Sequence, residues 1–229
     1  MQSFGFSTVI VSNNDFSDDN LIKTFSLLEN HGFRKIIFTL SHDVSSATAS
    51  RHIADKKILQ AKVSRVSPRG ISAKVVSNVL MTNEAIYEKQ ISRLSVRKSQ
   101  YLLFELPIFD GEDWIDSSLN YLLYKQKKKP LFLSFDKNLV TYKPSFAEHL
   151  IHTRLAAFML DMNAMANPSM IGYLKKLIDA NAIIIPGVSG VLDDYSGLFE
   201  KFSYLNENIG KNAYAKMIIN SSRGSKAIF

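Results

Sequence analysis

The residues of this 229-residue chain best equipped for chemistry stand at or just past its short apolar runs. His42 follows Lys35–Leu40. Glu105 closes Tyr101–Leu106 with Leu106. Ser134 lies in Leu131–Phe135, and Asp136 and Lys137 follow it. Asp161 lies in Ala157–Met162, and Ser189 comes after Ala182–Ile185. One imidazole and three carboxylates are metal-ligand and acid–base types. Lys137, Ser134 and Ser189 are suited to holding an anion. Each residue also has a plainer reading. His42 can be a loop histidine, Glu105 a cap or the partner of a lysine. Asp161-x-Asn163 can satisfy backbone donors at a strand end. No Ser-His-Asp signature, P-loop or dinucleotide-binding glycine fingerprint is present. Gly187-x-x-Gly190 has too few glycines to cradle a phosphate.

Elements that would position these residues alternate along the chain. Thr8–Val11, Lys35–Leu40, Ile71–Met81, Tyr101–Leu106, Leu131–Phe135, Ala157–Met162 and Ala182–Ile185 read as strands. Helices are expected over 18–30, 45–60, 83–94, 113–127 and 145–153, then after Pro168, and finally over 194–206 and 209–218. The first helix has Leu21, Ile22, Phe25 and Leu28 as its apolar stripe, with Gly32 at its C-cap. Asn167 and Pro168 open another, with Ile171, Leu174, Leu177 and Ile178 as its stripe. Apolar strands separated by helices imply a parallel sheet covered by helices. Seven such units suit a closed α/β barrel better than an open sheet, and one domain spans 1–229. A barrel of this kind carries its chemistry at the C-terminal strand ends, where the residues above stand.

Composition excludes several classes. Apolar residues make up 46% and charged residues 21%, so the chain is neither disordered nor a coiled coil. Cysteine is absent, which removes thiolate chemistry and suits a reducing cytoplasm. No run approaches the roughly 18 apolar residues of a membrane span, and the N-terminus lacks the marks of a secretory signal. The net charge is +7, with 28 basic against 21 acidic residues. The excess is heaviest over 51–74, with further runs at Lys89–Lys98 and Lys125–Lys129. These are either solvated faces or a surface for an anionic partner. No nucleic-acid-binding motif accompanies them.

Several segments together resemble a known family. Glu29–Thr39 (ENHGFRKIIFT), Tyr101–Pro107 (YLLFELP), Lys129–Tyr142 (KPLFLSFDKNLVTY), Asp161–Gly190 and Ile209–Ile219 (IGKNAYAKMII) occur in the order and at the spacing of the capsular-polysaccharide type of bacterial protein-tyrosine phosphatases. That family lies within the polymerase-and-histidinol-phosphatase (PHP) superfamily. The resemblance implies a distorted (β/α)7 TIM-like barrel of the PHP type.

The departures fall on the metal ligands. The family's opening H-x-H falls on Val11-Ser12-Asn13, its T-P-H on Thr39-Leu40-Ser41, and its third-strand glutamate near Val79. H-P-E-R becomes Ser134-Phe135-Asp136-Lys137, and S-D-x-H becomes Val188-Ser189-Gly190-Val191. Only Glu105 survives. Val11, Asn13, Ser41, Val79, Glu105, Ser134, Ser189 and Val191 are thus vestigial metal positions, with Val11, Val79 and Val191 expected to fill the former site. The resemblance then implies a catalytically inactive homologue, without cofactor, that binds or scaffolds in capsule or exopolysaccharide biosynthesis. Its implied partners are a tyrosine-kinase tail or anionic polysaccharide machinery. The alternative is an active phosphatase with a rearranged site on His42, Glu105, Asp136 and Asp161, served by manganese or another divalent metal.

Overall fold

The computed structural model describes residues 3–12, 15–42, 49–80, 102–105, 131–135, 156–162, 168–189 and 195–228. Seven strands lie among them: β1 (Thr8–Ser12), β2 (Lys35–His42), β3 (Ser72–Leu80), β4 (Leu102–Glu105), β5 (Leu131–Phe135), β6 (Ala156–Asp161) and β7 (Ile183–Ser189). All neighbouring pairs are parallel, the order is that of the sequence, and β7 closes on β1. The described helices are α1 (Asp18–Asn30), α2 (Ala49–Val66), α3 (Pro168–Asp179), α4 (Tyr195–Ile209) and α5 (Lys211–Ile228). The helices expected over 83–94, 113–127 and 145–153 lie outside the described residues.

Strand alternation divides the apolar residues into two cores. Ile10, Ile37, Val76, Met159 and Ile185 pack on one another and line the inside of the barrel. Residues of the other parity (Val9, Val11, Ile36, Phe38, Val75, Leu160, Ile184 and Val188) join the helix side chains in a larger outer core. Leu21, Phe25 and Leu28 of α1, Leu59 and Val63 of α2, and Leu174, Leu177 and Ile178 of α3 belong to it. Two expectations are corrected here. Val11 does not fill the barrel mouth; Ile10 faces inward, so Val11 is turned to the helices and Ser12 takes the inner wall. Ile22 is not part of the α1 stripe but is 53% exposed, and Thr24 and Leu27 are buried instead.

Local signals explain the element ends. The Ser17 hydroxyl accepts from the Asn20 N–H (3.4 Å), and Asp18 and Asp19 sit in the first turn of α1, where the helix dipole favours anions. At the other end Phe33 N–H donates to Leu28 O (3.0 Å) and Gly32 N–H to Glu29 O (2.9 Å). This pair of bonds needs a left-handed residue, which Gly32 supplies at φ +89°. Helix α3 ends in the same way. Ala182 N–H donates to Leu177 O (2.9 Å) and Asn181 N–H to Ile178 O (3.0 Å), with Asn181 at φ 61°.

The N-terminal end of the barrel is covered by α5. Asn220 Nδ2 donates to Ala182 O (3.4 Å), Lys35 Nζ donates to Ser225 Oγ (3.5 Å), and Gly224 lies against Ile183. This helix runs ten residues beyond its expected end at 218. Within Asn220–Ser225, Asn220 meets the chain just ahead of β7 and Ser225 meets the Lys35 ammonium, while Ser222 and Arg223 are exposed. Ahead of β1, Phe4 stacks on Phe202 (4.2 Å) and His31 (4.7 Å), and Phe6 meets Tyr214 edge-on (5.4 Å). Tyr214 Oη donates to Phe4 O (3.1 Å), tying the N-terminal arm to α5.

Among the described residues the pairing of β3 with β4 runs from Ser77 and Leu102. Before it, the Gln60 side chain of α2 bonds the β3 backbone. Its Oε1 accepts from Val75 N–H (2.8 Å), and its Nε2 donates to Ala73 O (3.3 Å). Buried backbone groups need partners, and this carboxamide supplies one donor and one acceptor.

Candidate functional site

The C-terminal strand ends form the mouth of the barrel. On its inner wall Ser12 of β1 is in register with Thr39 of β2 on one side and Ser189 of β7 on the other. Thr39 is 2% exposed. Its hydroxyl donates to Ser12 Oγ (2.9 Å), with Val11 O a longer alternative acceptor (3.5 Å). One hydrogen bond thus joins two neutral hydroxyls, Ser12 at the end of β1 and Thr39 beside it on β2.

Asp161 closes β6 opposite Gly187 of β7, and Gly187 is in turn opposite Ile10. Asp161 is half-buried. The wall between it and β1 has no side chain at position 187. Met159, two residues back on the same face, occupies the space a Cβ there would need. The described part of the mouth therefore has an apolar floor of Met159, Ile10, Ile37, Val76 and Ile185 beneath hydroxyls and one carboxylate.

The other expected residues are placed by the backbone. His42 ends β2 opposite Val79, and Ser41 lies opposite Asn78. Glu105 ends β4, opposite Leu80 on one side and Ser134 on the other. Glu105 and Ser134 are thus neighbours across two strands, and Glu105 and His42 flank β3. Asn13, Asp136, Lys137 and Val191 lie outside the described residues. Thr39 is the residue that sequence reasoning passed over. Its parity with Ile37 on β2 is the signal that places it on the inner wall.

Among the described residues, no three His, Cys, Asp or Glu side chains come together as a metal centre. Alcohols such as Ser12 and Thr39 are weaker ligands for manganese, zinc or iron than imidazole or carboxylate. As it stands, the arrangement offers hydrogen-bond donors and acceptors over an apolar floor.

The first basic run lies on α2 and the turn after it, except for Lys74, which lies on β3. Asp18 of α1 pairs with Lys62 (3.3 Å) and Arg65 (2.7 Å). The runs at Lys89–Lys98 and Lys125–Lys129 lie outside the described residues. Among the described residues no helix is long and apolar enough to cross a membrane.

No protein-family model matches the chain, and no curated protein sequence does. Solved structures do. A mandelate racemase/muconate lactonizing enzyme from Roseiflexus sp. superposes with a TM-score of 0.51 at 11% identity, over 91% of this chain and 57% of that one. A dihydrodipicolinate synthase from Rhodopseudomonas palustris gives 0.54 at 8% identity, over 100% and 78%. A phospho-2-dehydro-3-deoxyheptonate aldolase (DAHP synthase) from Thermotoga maritima gives 0.53 at 12%, over 91% and 71%. At such identities the likeness is one of fold: this is an α/β barrel of the TIM-like kind. The chain spans little more than half the length of the racemase-type structure.

Proposed function

We propose that this chain is a divergent barrel of the PHP type, related to the capsular-polysaccharide protein-tyrosine phosphatases, that acts by binding rather than by metal-dependent hydrolysis. The observation that carries this reading is Val11, which stands where the resemblance puts the first imidazole of H-x-H and is buried in the outer apolar core. The resemblance places imidazole-bearing motifs at the ends of β1 and β2. This chain has on that inner wall two hydroxyls that bond to each other. A metal-activated water needs a cation held by strong donors, and a hydrogen-bonded alcohol pair is a poor substitute. Among the described residues the strands carry packed inner and outer cores that need no metal to hold them together.

The proposed role is to scaffold or bind in capsule or exopolysaccharide biosynthesis in the cytoplasm, with a tyrosine-kinase tail or the anionic polysaccharide machinery as partner. Metal analysis of the purified protein, with phosphatase assays in added manganese, tests this. Substoichiometric metal and no manganese-dependent turnover are expected. Two or more bound transition metals with robust turnover would overturn it.

A second reading is favoured by the placement of His42, Glu105 and Asp161 at the C-terminal ends of their strands. In it these residues, with Asp136, serve an active phosphatase. If Glu105→Gln leaves any measured activity untouched, this reading fails.

A further inference from the structure

We infer that the exposed face of α2 is a docking surface for an acidic polypeptide segment that carries an aliphatic anchor. This surface lies on the flank of the barrel and stands apart from the mouth, so the inference goes beyond the proposal above.

Arg51, Ala54, Ile58, Ala61 and Arg65 follow a spacing of three and four along α2, which puts them on one stripe. All five are exposed, Ile58 to 67%. Lys57 and Lys62 flank the stripe on opposite sides, and the exposed Arg69 follows the helix. A single exposed aliphatic residue is ordinary. The setting of Ile58 is not. Its nearest neighbours on the stripe, Ala54 and Ala61, are short, so a shallow apolar strip runs between long cationic arms.

The facing charges are unequal. Arg51, Lys57, Lys62, Arg65 and Arg69 are five cations. Asp55, 3.9 Å from Arg51, and Asp18, which holds Lys62 and Arg65, are two anions. The difference, 5 − 2, leaves +3 on this face. Charge complementarity selects a negatively charged occupant, and Ile58 selects one with an aliphatic side chain to bury. The stripe from Arg51 to Arg65 is about 21 Å long at about 1.5 Å per helical residue, enough for one short peptide segment. A nucleic acid would use the cations but not Ile58. A bilayer would need more apolar surface than one isoleucine between two alanines.

Fluorescence anisotropy tests this with two labelled peptides of about fourteen residues, a length matching the stripe. One is all glutamate. The other has leucine at every fourth position, with aspartate and glutamate elsewhere. The leucine-bearing peptide should bind about tenfold more tightly, in line with burial of one aliphatic contact. Ile58→Ser should abolish that preference. The double variant Arg51→Glu, Lys57→Glu should weaken both peptides by about tenfold or more. Lys211→Glu, on α5, should change nothing. All these positions are exposed, and an unchanged thermal midpoint confirms that each variant is folded. Equal binding of the two peptides, or wild-type binding by the Ile58 or double variant, would overturn the inference. Tighter binding to phosphatidylserine vesicles or to a DNA duplex at the same salt would overturn the choice of partner.

Discussion

Met159 and Gly187 share one space on the inner wall of the barrel. A Cβ at position 187 would stand 2.6 Å from Met159 Cγ and 2.8 Å from its Sδ. The two residues lie on adjacent strands, where Met159 pairs with Ile185 and Gly187 with Asp161. A long, flexible side chain thus closes the floor of the mouth only because its neighbour has none.

Gly187→Ala should therefore destabilise the fold by about 1–3 kcal/mol, the usual cost of overpacking. In a Met159→Ala background the same change should cost at least about 0.5 kcal/mol less, because the clash is gone. Urea unfolding of the four proteins measures the coupling. Equal costs in both backgrounds would show that the contact does not set the residue at 187.

Gln60→Leu should cost about 1–3 kcal/mol, because it strips Val75 N–H and Ala73 O of their partner. Gln60→Glu keeps the acceptor for Val75 and loses only the donor. Hydrogen exchange at the Val75 amide should therefore be fast in the leucine variant and slower in the glutamate one. Matching exchange in wild type and Gln60→Leu would refute the role of Gln60 as the partner of the Val75 amide.

Asn181 holds a left-handed conformation at the turn into β7. Replacing it with glycine should leave stability within a few tenths of a kcal/mol or raise it. Replacing it with valine should lower stability by more than about 1 kcal/mol, because a β-branched side chain clashes at positive φ. The chemical midpoints of the two variants, compared at constant slope, decide the point.

Two half-buried groups set opposite pH trends. Burial lowers the Lys56 pKa from its ordinary 10.5. The unfolded chain then holds that proton more tightly, so this group's contribution to stability rises with pH from the lowered value towards 10.5. Lys56→Met should stabilise the protein near neutral pH and lose that advantage above 10.5. Burial raises the Tyr214 pKa above its ordinary 10.0, so its contribution falls as pH climbs past 10.0. Tyr214→Phe should flatten that alkaline fall, while losing the hydrogen bond to Phe4 O at every pH. Unfolding curves collected from neutral to alkaline pH read both trends.

Much of the architecture was legible because its signals are local. Ile171, Leu174, Leu177 and Ile178 repeat at helical spacing after Pro168, and all four are buried in the outer core. Gly32 marks the end of α1 through its backbone alone. Ile22 misled because it borders the apolar stripe. Periodicity gives the stripe's direction only to within about one residue's 100° step. The end of α5 was missed because Asn220–Ser225 carries little apolar pattern.

The amino-acid sequence by itself determined the seven strands and the helices that follow β1, β2, β6 and β7, and with them a parallel sheet covered by helices. Each apolar run, cap and turn acts on its own neighbours. Only the tertiary structure decided which side of each strand faces the barrel and which residues meet across it. Ser12 and Thr39 are 27 positions apart, and nothing in either segment specifies their hydrogen bond. Their meeting depends on the register of β1 against β2. A slip of one residue would have turned Ser12 to the helices and Val11 to the mouth.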